Sequence, residues 1–360
     1  MKPTEPPKLC PISQFDSVKA AMMSPDLTVN HPFRATRMVL GPTILDLEGP
    51  RHLSARNILL RFFARASAED AQEELIAPVV RRNWEAMVAA GGGDAVADFA
   101  MRVPPEVVFR ALGLPEADAA EIYRRDIGPI AGFIADNQSG HAEARAASER
   151  LSVYIDGRPA PEDSSRDGIG EIIGSYLDAG LELSEVMADI TLLLAAGTET
   201  TVCAIANLFF LIGEYPESWN GVLSGEIPVK AFVEEVVRFE APLQRTFRFA
   251  RRTTEIEPGT VIPRFSAVEL ALCSANRNQP TLDQPEDWAP AEGRGVGATF
   301  GFGRHVCLGK ALALAELREV AALLRETGFQ ASSIRERSPL GTSTFRRPAA
   351  IRLALGPDSG

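Results

Sequence analysis

The sequence predicts a mainly α-helical protein with small β-sheets, and three observations lead there. Segments rich in Ala, Leu, Glu and Arg fill most of the chain, punctuated by Pro and Gly. Strand-like runs are few and come late. One long apolar stretch, Ile190 to Gly213, reads as a single long helix.

Taken in chain order, helices are expected at Arg51 to Ala66, Ala68 to Ala90, Pro105 to Leu112, Ala117 to Tyr123 and His141 to Asp156. Gly91 to Gly93 mark a local loop, and Glu162 to Gly170, rich in Ser, Asp and Gly, a polar one. Ser184 is placed to cap the long helix, and Pro216 lies just past its end. Such a helix would be roughly 45 Å long at 1.5 Å per residue. It is long and apolar enough to span a bilayer. But Glu199 sits near its middle among Thr198, Thr200 and Thr201, and a central carboxylate is costly in lipid. The expectation is a helix buried inside a soluble protein. Another helix, Val229 to Phe239, stops before Pro242. The strand-like runs are Thr246 to Ala250, Ala267 to Cys273 and Pro348 to Leu355. No internal repeat or linker divides the chain. Gly295 to Gly301 is glycine-rich, yet no strand–GxGxxG–helix unit surrounds it, so a dinucleotide site is rejected there.

The 360 residues are 45% hydrophobic, ample for a large core, and carry a net charge of −11. That balance argues against non-specific binding to nucleic acid or to an anionic membrane. Cys10, Cys203, Cys273 and Cys307 share no CxxC spacing, so neither a zinc site nor a disulfide framework is indicated, and a reducing cytoplasm fits. The opening MKPTEPPKLC has no apolar signal-peptide core.

The sharpest chemical signal is Phe300-Gly301-Phe302-Gly303-Arg304-His305-Val306-Cys307-Leu308-Gly309, running into a helix from Lys310 to Leu324. Its glycines allow a tight loop that delivers one cysteine to a helix N-terminus. Free N–H groups and the helix dipole there favour a thiolate, which can serve as the axial ligand of haem iron. Cys307 alone would more readily be a buried structural cysteine. The ten-residue pattern reverses that preference.

This loop resembles the haem-binding loop of the cytochrome P450 family, matching Phe300, both glycines, His305, Cys307 and Gly309. The resemblance continues in order along the chain. Met101 to Arg125 is similar to the family's helix entering its Leu-Gly-x-Pro turn, and Ala275-Asn276-Arg277 to its segment before the meander. It implies a single domain over 1–360 with the family's triangular-prism fold. Haem (heme b) would lie between the long distal helix and the Cys307 loop. Ala196-Gly197-Thr198-Glu199-Thr200-Thr201 is similar to the acid–alcohol motif: Gly197 leaves room for O₂, Ala196 would contact the cofactor, Thr200 would hydrogen-bond the oxygen, and Glu199 would relay protons. The bland alternative has Thr200 bonded back to its own helix and Glu199 a solvated acid.

Glu235-x-x-Arg238 matches the ExxR pair that supports the cysteine loop; an ordinary i, i+3 surface pair would have the same spacing. The family usually adds a meander arginine, where this sequence has Glu292, with Arg294 two residues on. His52 and Arg56, together with Arg248 and His305, match the residues that hold the haem propionates, and Phe300, Gly303 and Gly309 line the cofactor. The resemblance draws substrate contacts from Asn30 to Leu45, from the helices between Pro115 and Asp156, and from Leu192 to Ala196. Leu243 to Phe247 and Leu340 to Phe345 complete the set, with Leu192, Ala195, Leu243, Gln244, Arg245, Phe247 and Phe345 as the candidates.

The implied enzyme is a haem-thiolate monooxygenase acting on a small organic, biosynthetic substrate with O₂. Electrons from NAD(P)H would arrive only through a separate ferredoxin and ferredoxin reductase. Arg304, Lys310, Arg61 and Arg65 form the candidate docking patch. Two other readings are a peroxygenase fed by hydrogen peroxide and a haem-binding scaffold without turnover. His52 arrives early, so most of the family's N-terminal sheet segment is expected to be missing. The exposed sheet edge would then be covered by a second chain, or the pocket would admit a large substrate.

Overall fold

The computed structural model describes residues 8–31, 34–66, 72–136, 139–157, 168–257 and 259–355. Helices α1 (Phe15–Met23), α2 (Ala35–Leu40), α3 (Gly49–Ala66), α4 (Ala77–Ala89), α5 (Val103–Ala111), α6 (Glu116–Ile122), α7 (Gly128–Asp136), α8 (His141–Asp156) and α9 (Ile169–Asp178) precede the long helix α10 (Leu183–Glu214). After it come α11 (Pro216–Ser224), α12 (Val229–Phe239), α13 (Leu272–Asn276) and α14 (Lys310–Glu326). The strands are β1 (Leu9–Ile12), β2 (Leu27–Thr28), β3 (Gly92–Asp94), β4 (Arg245–Ala250), β5 (Thr254–Glu257), β6 (Thr260–Ile262), β7 (Ala267–Ala271), β8 (Ile334–Arg337) and β9 (Ile351–Ala354). They form sheets of order β1-β7-β4-β2, β3-β9-β8 and β5-β6. The protein is therefore mainly helical with small sheets, as its composition and punctuation predict.

The long helix is the axis of the core. Between Asp189 and Phe209 only Ala196, Gly197 and Thr200 escape burial. A helix apolar on every side belongs inside a large protein or a membrane, and this one is enclosed by its own chain. Thr200 shares one face with both Gly197 and Ala196, since residues three and four apart lie together on a helix. Asp189 ties the helix to its surroundings: its carboxyl accepts from Ile44 N at 2.6 Å and from the Tyr176 hydroxyl at 3.0 Å.

Several expectations are corrected. Glu182, not Ser184, caps α10: the Glu182 side chain and Glu185 form a reciprocal capping box, and the helix starts at Leu183. The helix expected over Ala68 to Ala90 begins, among the described residues, with a π-helical turn at Gln72–Ile76. That expected at Ala117 to Tyr123 continues through a second such turn, Tyr123–Ile127, into α7. Strands are not confined to the C-terminal part, because β1, β2 and β3 all come early. The run expected to end at Cys273 leaves the sheet at Ala271 and turns into α13. Most of the polar loop Glu162 to Gly170 lies outside the described residues, and α9 begins at Ile169. Of the expected glycine loop, Gly91 is a turn while Gly92 and Gly93 belong to strand β3, paired with β9. There a Cβ on Gly92 would collide with the Leu353 carbonyl, so the absence of a side chain is what lets the strands meet.

Candidate active site

The cysteine loop is a tight turn clamped from three sides. Gly301 and Gly303 have φ of 71° and 73°, a region that disfavours a side chain. Met22 of α1 packs on Gly301, and Phe63 of α3 lies 3.6 Å from where a Gly309 side chain would begin. Cys307 N donates to Phe300 O at 2.9 Å, closing the turn. The Cys307 side chain has open surface, yet enough protein surrounds it that desolvation raises the thiol. The N–H of Gly309, the charge of Arg56, and Lys310 through its N–H and its charge all oppose that rise. This is the start of α14, where a thiolate is best accommodated.

Basic side chains gather beside the loop. His52 is 2% exposed, and its ring lies 4.3 Å from that of His305 between centroids. The Nε2 atoms of both rings are buried without a partner. Burial, with the charges of His52, Arg248, Arg34 and Arg56 adding to it, holds His305 down to about 3. Burial and the nearby Arg34 likewise bring Arg248 to about 10. Among the described residues Arg248 donates only to the neighbouring Phe247 O, at 2.9 Å, and Arg56 to Val306 O at 2.8 Å. Arg34 donates to Leu45 O at 2.6 Å. None of these five bases forms an ion pair among the described residues. Orphaned imidazole nitrogens amid uncompensated guanidinium groups need anions, and the two carboxylates of haem fit that requirement. The sequence reading named four of the five. Arg34 was missed because no spacing ties it to the His52 helix; only the fold brings it there.

On the long helix, Thr200 and Glu199 are treated differently. The Thr200 hydroxyl donates to Ala196 O at 2.8 Å, leaving its oxygen lone pairs free on the open face with Ala196 and Gly197. Glu199 is 9% exposed and accepts from the Tyr123 hydroxyl at 2.6 Å. Burial raises its carboxyl, opposed by Tyr123 and Arg347. It is thus an enclosed acid rather than a solvated one.

Glu235 and Arg238 form a buried two-pronged pair at 2.6 and 2.7 Å. Arg238 also donates to the carbonyls of Asn276, Pro285 and Asp287, while Glu235 accepts from Ala289 N at 3.0 Å. Arg294 reaches the same segment by a different route. It bonds the carbonyls of Asp283, Gln284 and Asp287 and pairs with Glu292 at 2.7 Å. The two arginines therefore share the Asp287 carbonyl and together clamp the stretch that leads to the cysteine loop.

The substrate candidates fall in different places. Leu192 and Ala195 are buried, at 3% and 2% exposure, in the core around α10. Leu243 and Phe345 pair as an isolated antiparallel bridge. Gln244 bonds Ala241 O at 2.5 Å. Arg245 is exposed, bonded to Thr344 at 3.1 Å and 3.7 Å from Glu269, and Phe247 is half-buried on β4.

Known proteins share this architecture. Residues 228–336 match the family model described as Cytochrome P450. The erythromycin C-12 hydroxylase of Saccharopolyspora erythraea is 29% identical over 302 residues, covering 79% of this chain and 73% of that protein. The tirandamycin C-bound P450 monooxygenase TamI is 25% identical with a TM-score of 0.78, over 96% of this chain and 89% of that one. The crystal structure of CalO2 superposes with a TM-score of 0.82 at 22% identity, over 97% and 91%, and shows the same fold. Fold and family match together point to the class of P450 oxidoreductases. The family match, the curated relatives and the solved structures support a cytochrome P450, with that family's monooxygenases as its enzyme class.

Proposed function

We propose that the chain oxidises a small organic, biosynthetic substrate, placing one atom of O₂ in it and releasing the other as water. The observation that carries this reading is the cluster of uncompensated bases beside a cysteine at a helix N-terminus. Cys307 would hold the haem iron, and Arg34, His52, Arg56, Arg248 and His305 would hold its carboxylates. When bound, thiolate-ligated haem supplies the O₂ activation.

The chain's own groups do the rest. The open face at Ala196 and Gly197 leaves space for a small reactant beside the backbone. Thr200 accepts a hydrogen bond there, and Glu199 supplies protons from the enclosed side. Forming water from one oxygen atom consumes two protons and two electrons. The electrons are supplied by a separate ferredoxin and its NAD(P)H-dependent reductase. Docking of an acidic donor beside the cysteine loop is supported by the exposure of Arg61, Arg65, Arg304 and Lys310 and by Phe63 of α3 lying against that loop. Arg65 is already engaged by Glu171. Biosynthetic substrates are supported by two relatives, one named for hydroxylating erythromycin and one bound to tirandamycin C.

The test is NAD(P)H consumption with surrogate ferredoxins and reductases across a panel of secondary metabolites. Consumption that rises with one metabolite and yields an oxygenated product is expected. Oxygenation driven by hydrogen peroxide alone, with no response to reduced ferredoxin, would replace the electron-delivery part of the reading.

A further inference from the structure

Two of the predicted substrate contacts, Gln244 and Arg245, line a groove outside the candidate active site. Successive side chains of a strand alternate between its faces. Arg248 of β4 turns toward the bases beside the cysteine loop, so Arg245, three positions earlier, turns to the opposite face of the sheet. There β4, β7 and the turn before Phe345 enclose about 340 Å³, lined by Arg245, Glu269, Ser274, Thr342 and Arg346 as well as Gln244. Both guanidinium groups are loosely paired. Arg245 Nη1 is 3.7 Å from Glu269 Oε2, and among the described residues its one hydrogen bond runs from Nε to Thr344 Oγ1 at 3.1 Å. Arg346 Nε is 3.5 Å from Glu240 Oε2 and makes no hydrogen bond there, while its Nη1 reaches Gln244 Oε1 at 3.5 Å. Glu235 and Arg238, by contrast, close to 2.6 Å. Glu240 is already held by Arg277 at 2.5 Å, so it does not fully offset the charge of Arg346. Ser274 and Thr342 add exposed hydroxyls at the rim.

We propose that this groove is a binding site for a hydrogenphosphate group, free or at the end of a small metabolite. Arginine pairs with phosphate oxygens through parallel N–H donors, and two guanidinium groups from different elements converge on one groove here. Glu269 selects the form that binds. A carboxylate beside the arginines repels an oxyanion without a proton but accepts a hydrogen bond from one that keeps a P–OH. Phosphate and its monoesters retain such a proton at about pH 6, whereas sulfate has none. The Ser274 and Thr342 hydroxyls are placed for the remaining oxygens. The site lies on the sheet face opposite Arg248 and needs no haem, so it stands independently of the monooxygenase reading.

The haem-loaded protein, whose cofactor engages the bases beside Cys307, is titrated by calorimetry at about pH 6 with inorganic phosphate, glycerol 3-phosphate and sulfate. Saturable binding of a phosphate, at least about tenfold tighter than sulfate, is expected. Tighter binding of glycerol 3-phosphate would assign an esterified ligand, and tighter binding of inorganic phosphate the free ion. Arg245→Gln and Arg346→Gln should each weaken phosphate binding by about tenfold, and Glu269→Gln should erase the preference over sulfate. Should Arg346→Gln fail to fold, the variant at exposed Arg245 decides. No saturable phosphate binding, equal affinity for sulfate, or an affinity unchanged in Arg245→Gln overturns the proposal.

Discussion

Arg34 carries its charge into a corner where four other bases already sit. Its hydrogen bonds go to backbone carbonyls, and Asp46 is the acid that acts on it. Burying a guanidinium beside Arg248 is unfavourable unless an anion arrives. A hydrogen bond to a charged group contributes about 1.5–3 kcal/mol, or roughly ten- to a hundredfold in an equilibrium. Arg34→Met is therefore expected to speed loss of haem to a scavenging protein by about tenfold or more. The haem-free variant should melt no earlier than its parent, because a repulsive contact has gone. Unchanged haem loss would remove Arg34 from the site. Nothing in the sequence around Arg34 marks it, whereas His52 and Arg56 are marked by their i, i+4 spacing. Sequence spacing reveals partners on one element and is silent about those that meet through folding.

At the scale of elements, α10 was legible because its apolar run is long and its polar cluster sits at the centre. The strands were less so. β3 is written in glycines, which ordinarily break strands, and it exists because Gly92 can approach the Leu353 carbonyl. β1 and β2 are short and take their stability from pairing with β7 and β4, which lie more than 200 positions away. The way α10 is pinned yields a pH prediction. Burial raises the Asp189 carboxyl from its ordinary 3.8 to about 6, against the opposing bonds from Ile44 N and the Tyr176 hydroxyl. The folded protein therefore binds this proton more tightly than the unfolded chain. That contribution is fully present below pH 3.8 and is lost as pH rises through about 6. Asp189→Asn keeps the shape and removes the titration. The difference in stability between variant and parent, followed by denaturant unfolding, should change between pH 3.8 and about 6 and be flat above. A difference that is flat throughout would show that the carboxyl does not titrate in that window.

At the scale of the whole molecule, the site is assembled from distant parts of the chain. The cysteine loop lies under α1 and α3, the bases come from four separate segments, and the clamp of Glu235, Arg238 and Arg294 secures the approach. The loop itself was readable because a tight turn, a thiol and a helix start must be adjacent in sequence. The substrate side was not, since its walls come from segments with no shared pattern: Leu192 and Ala195 lie in the core and Arg245 on the surface. The central claim is that Cys307 is the thiolate on which the cofactor is held. The most direct measurement is the absorption spectrum of the reduced, haem-loaded protein under carbon monoxide. The parent should show the strongly red-shifted Soret band of a thiolate ligand, and Cys307→Ser should lose it while keeping its helical circular dichroism. A red-shifted band that persists in Cys307→Ser would contradict the assignment.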